Sequence, residues 1–170
     1  MTLITQLGGG KTHTLAALHH LATCGKEAAE HSEVSGLLQA AGLSSVPTAR
    51  VGVFVGNAWD PRDGHETPWI DIARQLAGDA GMRELGAAAE ITPPGTESLT
   101  RVFKAAGKPV LLLFNKVLNF LNRHRGMAEQ SHALIQNLTV TTIGGNARSR
   151  CHQLAQKSGR DDRLGHAMAG

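Results

Sequence analysis

The sequence predicts an α/β fold with a mostly parallel sheet, because apolar strand segments alternate with helical segments along the chain. Residues 51–55 and 110–114 are short and continuously apolar, as is typical of strands buried on both faces of a parallel sheet. Proline and glycine breaks separate these strands from the predicted helices. The predicted elements are a strand over residues 1–5, helices over 11–23 and 27–41, a strand over 51–55, a loop over 56–68, helices over 69–77 and 96–106, a strand over 110–114, and a helix over 126–141.

Composition favours one folded domain rather than a disordered chain. Hydrophobic residues make up 41% of the 170 residues and charged residues 18%. The net charge of +3 is too small to indicate nucleic-acid binding by itself. The two cysteines cannot form a disulfide framework, and no apolar run approaches the roughly 20 residues of a membrane span. We therefore expect a cytoplasmic protein with reduced thiols and no membrane segment.

The glycine-rich segment after the first predicted strand has the character of a phosphate-binding loop. Glycines let backbone N–H groups approach anionic oxygens, and the N-terminus of the following helix adds a partial positive charge. The lysine would reach the β- and γ-phosphates of a nucleotide, and the threonine hydroxyl would bind Mg²⁺. The strict pattern is not met, because Thr5 stands where its first glycine belongs. The predicted nucleotide-binding residues are Gly8, Gly9, Gly10, Lys11, Thr12 and His13, with Thr12 also the candidate Mg²⁺ ligand.

The second half of such a site is an acidic pair at the end of another buried strand. There an Asp orders the Mg²⁺ shell and a following Glu polarises the attacking water. The strand over residues 110–114 is in the right place, but Asn115 and Lys116 follow it. Neither supplies a carboxylate, so loss of hydrolysis is expected.

Four segments of the chain resemble a bacterial group of large AAA+-type P-loop ATPases, domain-of-unknown-function family 499. Members are often encoded beside DNA methyltransferase and restriction-type defence genes. The resemblance implies a three-layer P-loop NTPase-type fold, ATP and Mg²⁺ as ligands, and Asp-Glu in the family where this chain has Asn115 and Lys116. It also implies a methyltransferase or another defence-system protein as partner, and a homo-oligomer. The matching segments are residues 8–22, 53–69, 93–99 and 110–138.

The end of the chain changes character at about residue 146, where apolar anchors become rare. Codons can be chosen for residues 151–170 that, read one nucleotide forward, encode a peptide resembling the family's next strand. We therefore expect a partial P-loop nucleotide-binding domain over residues 1–145 and a poorly ordered, out-of-frame tail over 146–170. In the family that next strand lies centrally in the sheet, so the fold would lack a central strand and the chain would be a fragment of a larger protein.

Other polar residues give weaker signals. In an oligomeric ATPase, Arg123 and Arg125 could reach a neighbour's γ-phosphate, although a basic surface patch is the simpler interpretation. His13 and His19 do not share a helical face, so no metal site is expected from them. The loop acids Asp60, Asp63 and Glu66 could contact Mg²⁺ or partner residues but are more typical of a solvated loop. Trp59 and Trp69, which flank the loop, are expected to pack in the core or in an interface.

Three functions follow from these patterns. The first is an ATP-binding domain, linked to DNA modification or phage defence, that no longer hydrolyses ATP. The second is a non-functional remnant. The third is a non-catalytic interaction module that binds a protein or nucleic acid through Arg123, Arg125 and the basic tail.

Overall fold

A computed structural model describes residues 9–144 of the chain. The predicted strand over residues 1–5 and the tail over 146–170 lie outside the described residues. In chain order the elements are α1 (Lys11–Ala29), α2 (Ser32–Ala40), β1 (Arg50–Val55), a 3₁₀ turn (Pro61–Asp63), α3 (Pro68–Leu85), a 3₁₀ turn (Ala87–Glu90), α4 (Thr96–Ala105), β2 (Val110–Asn115), α5 (Val117–Arg123), a 3₁₀ turn (Arg125–Met127) and α6 (Ala128–Gly144).

The two strands are neighbours and run parallel, as the sequence predicts for an α/β fold. Gly52 lies beside Leu112 and Phe54 beside Phe114 in the register of the pair. Parallel strands need a crossover connection, and here α3 and α4 provide it between β1 and β2. Within residues 9–144, these two strands are the whole of the sheet.

Alternate strand residues face two different layers. A Cβ added to Gly52 would meet Ile72 and Leu76 of α3, so the even-numbered residues of β1 face α3. Phe54 on this face belongs to the main core. The odd-numbered residues face the other way. Leu113 lies on this second face and is buried, although it is not part of the core built with α3 and α4. The helix α1 contacts both strands and covers this face.

The main core lies between the sheet and α3, α4, α5 and α6. Trp69 is almost fully buried, and its indole N–H donates to the carbonyl of Ala89. Trp59 is also buried, so both tryptophans lie in the core, one of the two places expected for them. The other large side chains that are fully buried are Phe120, Ile70, Leu76 and Val102.

Helix boundaries differ from the predicted ones where glycine interrupts a helix without ending it. The second half of α3 was not predicted, and its backbone leaves helical geometry at Gly78 (φ 55°, ψ −137°) before the helix resumes. Gly25 has the same effect in α1 (φ 39°, ψ −91°). A local pattern cannot distinguish such a kink from an end, because the helix resumes only through packing beyond the glycine. The short α5 was also missed, whereas α4 agrees with prediction.

Candidate nucleotide-phosphate site

The glycine-rich segment leads directly into α1. Gly10 adopts a left-handed conformation (φ 70°, ψ 8°), and Lys11 is the first helical residue. The carbonyl of Gly10 accepts from the N–H of Thr14 at 2.9 Å and from its hydroxyl at 3.2 Å. The first turn of α1 contains no acidic residue.

Two contacts near the amino end of β1 set the direction of α1, whose N-terminus points toward the carboxyl edge of the sheet. In the middle of α1, the carbonyl of Ala22 accepts a 2.8 Å hydrogen bond from Ala49, immediately before β1. Farther along α1, Gly25 packs against Thr48. The second half of α1 therefore lies at the amino end of β1. The twelve residues from Lys11 to Ala22 span about 18 Å, close to the roughly 20 Å of a six-residue strand.

Asn115 and Lys116 end β2 at the same edge. Asn115 is half-buried and its carbonyl accepts from the N–H of Gly56 at 2.8 Å. Lys116 is exposed and left-handed (φ 56°, ψ 35°), a conformation that is uncommon without glycine. Among the described residues it is the only one other than glycine with a positive φ. A Cβ at Gly56 would collide with the Lys116 carbonyl, so the two residues form a close turn.

The donors at this edge suit phosphate better than they suit Mg²⁺. Gly9, Gly10, Thr12 and His13 are exposed around the start of α1, and Lys11 is half-buried. Protein sites for Mg²⁺ usually supply one or two carboxylates, and neither the first turn of α1 nor the end of β2 contains one. Across the described part of the chain, no group of three His, Cys, Asp or Glu side chains is placed to hold a metal ion.

The carboxylate of Asp60, in the loop after β1, is hydrogen-bonded to Arg62. It accepts from the Arg62 side chain at 2.7 and 3.1 Å and from the Arg62 backbone N–H at 2.9 Å. These hydrogen bonds with Arg62 hold the pKa of Asp60 well below its usual range. The carboxylate therefore caps the turn over Pro61–Asp63 rather than standing open to a metal ion.

Arg123 anchors the loop that follows β1. Its guanidinium donates to the carbonyls of Gly56, Asn57 and Trp59 at 3.3, 2.8 and 3.2 Å. Nearby, the amide of Asn119 donates to the side-chain oxygen of Asn57 at 2.8 Å. Arg123 thus binds its own chain, and a role on a neighbour's γ-phosphate would require it to leave these carbonyls. Arg125 is exposed in the turn that follows.

A polar cluster beside this loop was not predicted from sequence. Asp71 on α3 accepts from the Trp59 indole at 3.0 Å and lies 2.7 Å from Nδ1 of His65. The Trp59 ring packs edge-to-face against Phe120 and His124, each with centroids 5.0 Å apart. His65 and Trp59 lie 6 and 12 positions before Asp71, but Phe120 and His124 lie far along the chain, so only the fold brings the whole cluster together.

Comparison of the chain with protein-family models, with curated proteins and with solved structures finds no match. Within residues 9–144, no helix combines the length and apolar character needed to cross a membrane.

Proposed function

We propose that the chain is an ATP-binding domain of the AAA+-type P-loop class that binds nucleotide without hydrolysing it. The proposal is supported by the direction of α1, whose glycine-rich start with Lys11 and Thr12 points toward the carboxyl edge of a parallel pair of strands. In open α/β sheets, ligands bind in the crevice at this edge. The membership of family 499 and the three-layer P-loop fold belong to the same proposal.

The binding step follows from charge and from the backbone. The N–H groups at the start of α1 and the ammonium of Lys11 would attract the phosphates of ATP. The hydroxyl of Thr12 would join the shell of a Mg²⁺ ion brought by the nucleotide, which would neutralise phosphate charge. Gly9 and Gly10 are exposed, and a Cβ at Gly10 would meet no atom of the described residues within 4 Å, which favours the approach of a ligand to this backbone.

The hydrolysis step lacks its base. Asn115 and Lys116 end β2 without a carboxylate, and Asp60 is held by Arg62. A lysine ammonium cannot take a proton from water while it is charged. Nucleotide would therefore remain bound as the triphosphate, in a role linked to DNA modification or phage defence alongside a methyltransferase or another copy of the chain.

Titration calorimetry tests the binding proposal. We expect Mg-ATP to bind the unmodified protein and the Lys11→Ala variant to bind at least about tenfold more weakly, since it loses a charge-assisted contact to phosphate. Lys26→Ala is the matched control, because Lys26 lies exposed near the other end of the same helix. Equal affinities for the Lys11→Ala and Lys26→Ala variants would remove the glycine-rich segment from the proposed function.

A further inference from the structure

The turn after β2 imposes a left-handed backbone on Lys116. The carbonyl of Lys116 accepts from the N–H groups of Asn119 at 3.1 Å and of Phe120 at 3.3 Å, and these bonds begin α5. The same carbonyl occupies the space that a Cβ at Gly56 would need. The turn is therefore fixed from both sides, and the positive φ of residue 116 follows from these backbone contacts rather than from its side chain.

A lysine at this position strains the backbone. In a left-handed conformation Cβ crowds a carbonyl oxygen, and glycine avoids that contact because it has no Cβ. The other seven described residues with a positive φ are all glycines. Residues held in such conformations are concentrated at active sites and ligand clamps. A binding role for the side chain would account for a lysine where glycine would fit the turn without strain.

The side chain of Lys116 brings a positive charge to the carboxyl edge of the sheet, where ligands bind in open α/β folds. Lys116 is exposed, and among residues 9–144 no hydrogen bond or ion pair engages its ammonium. It directly follows the end of β2, at the edge toward which the glycine-rich start of α1 points, and α1 contacts both strands. The end of β2 contains no carboxylate. The ammonium is thus available to an anionic ligand at this edge.

We propose that Lys116 is a second phosphate-binding lysine, whose ammonium contacts the phosphate chain of the nucleotide held at the start of α1. This inference rests on the proposed function, because the ligand is the same. The phosphate chain of a nucleoside triphosphate carries several negative charges, which Mg²⁺ neutralises in part. Lys116 adds to this neutralisation from the end of β2, as Lys11 does from α1. The chain therefore binds the triphosphate with less dependence on Mg²⁺ than it would without Lys116.

The variant Lys116→Gly separates the contact with the ligand from the stability of the turn. Glycine removes the ammonium and adopts a positive φ without steric cost, so we expect the variant to be at least as resistant to urea as the unmodified protein. We expect titration calorimetry to show ATP binding at least about tenfold weaker, because a charge-assisted contact is lost. Lys108→Ala is the matched control, because it removes an exposed lysine before the other end of the same strand. It should change the affinity by less than about twofold.

The same titrations in excess EDTA test the dependence on Mg²⁺. Removal of Mg²⁺ should weaken ATP binding by a factor at least about three times larger in Lys116→Gly than in the unmodified protein, since only the latter retains the second cation. Equal factors in the two proteins would overturn the part that Lys116 takes in neutralising the phosphates.

The outcomes separate this inference from the proposed function. If Lys116→Gly binds ATP as tightly as Lys108→Ala while Lys11→Ala binds more weakly, the role of Lys116 is overturned and the proposed function stands. If the unmodified protein binds no ATP with or without Mg²⁺, both are overturned. Lys116→Asn gives a second neutral variant, because asparagine tolerates a left-handed backbone, and it should weaken ATP binding as Lys116→Gly does.

Discussion

Gly56 makes the turn after β1 possible, because the carbonyl of Lys116 and the Cβ of Phe120 occupy the space that a side chain would need. We expect Gly56→Ala to lower the free energy of unfolding by about 1–3 kcal/mol, since the backbone of Lys116 must move to accept the methyl group. Urea unfolding measures this change. Gly126→Ala is the control and should change stability by no more than about 0.5 kcal/mol, because a Cβ there meets nothing within 4 Å. Equal costs for the two variants would contradict the close turn.

Arg123 is a residue whose observed contacts favour a structural role over an intermolecular one. We expect Arg123→Ala to lower the free energy of unfolding by about 1–3 kcal/mol, because three backbone carbonyls lose a charged donor. Arg125→Ala, at an exposed position two residues away, should cost no more than about 0.5 kcal/mol. If Arg123→Ala left urea unfolding unchanged, the guanidinium would be free for a partner and the oligomeric role would gain support.

Asp60 gives the stability of the loop a dependence on pH. Its pKa is lower in the folded state than in the unfolded state, where a value of about 3.9 is usual. The stabilisation from Asp60 is therefore complete above that value and is lost as the pH falls below it. We expect Asp60→Asn to lower stability at pH 6 and to make a smaller difference at pH 3, as measured by urea unfolding at both values. A difference that grew toward pH 3 would contradict the role assigned to Arg62.

At the scale of elements, β1 is an edge strand protected by a side chain from the helix that follows it. We expect Gln75→Ala to lower the free energy of unfolding by about 0.5–1.5 kcal/mol, because both polar groups of Val53 lose their partner to water. Gln39→Ala makes the same replacement at an exposed position of another helix, so it controls for helix propensity. Chemical denaturation of the two variants side by side should separate them, and equal stabilities would show that Gln75 does not protect the edge.

The strands were predictable from sequence, and the helix boundaries were only partly so. Residues 51–55 and 110–114 are apolar throughout, and both lie within parallel strands as expected. The helix α3 runs well past the predicted end because packing of Leu85 beyond Gly78 maintains it. A kink that tertiary contacts support cannot be read from a local pattern, since propensity alone favours a stop at glycine.

At the scale of the whole molecule, the sequence singles out the residues of the candidate site but not the contacts that surround it. Gly10, Lys11 and Thr12 could be singled out because a phosphate loop uses neighbouring residues. The contacts of Arg123 with the loop after β1, and of Gln75 with Val53, join residues 22 to 67 positions apart. Such contacts depend on how the helices that connect the strands pack against the sheet. A local sequence pattern does not encode this packing.

The central claim is that this chain holds ATP at the start of α1 and leaves it intact. Incubating the protein with radiolabelled Mg-ATP and measuring bound nucleotide and released phosphate in the same sample tests both halves together. We predict that ATP is bound and that phosphate appears no faster than in the absence of protein, because neither Asn115 nor Lys116 can act as a base. Absence of bound nucleotide, or turnover above about 0.1 s⁻¹, would contradict the account.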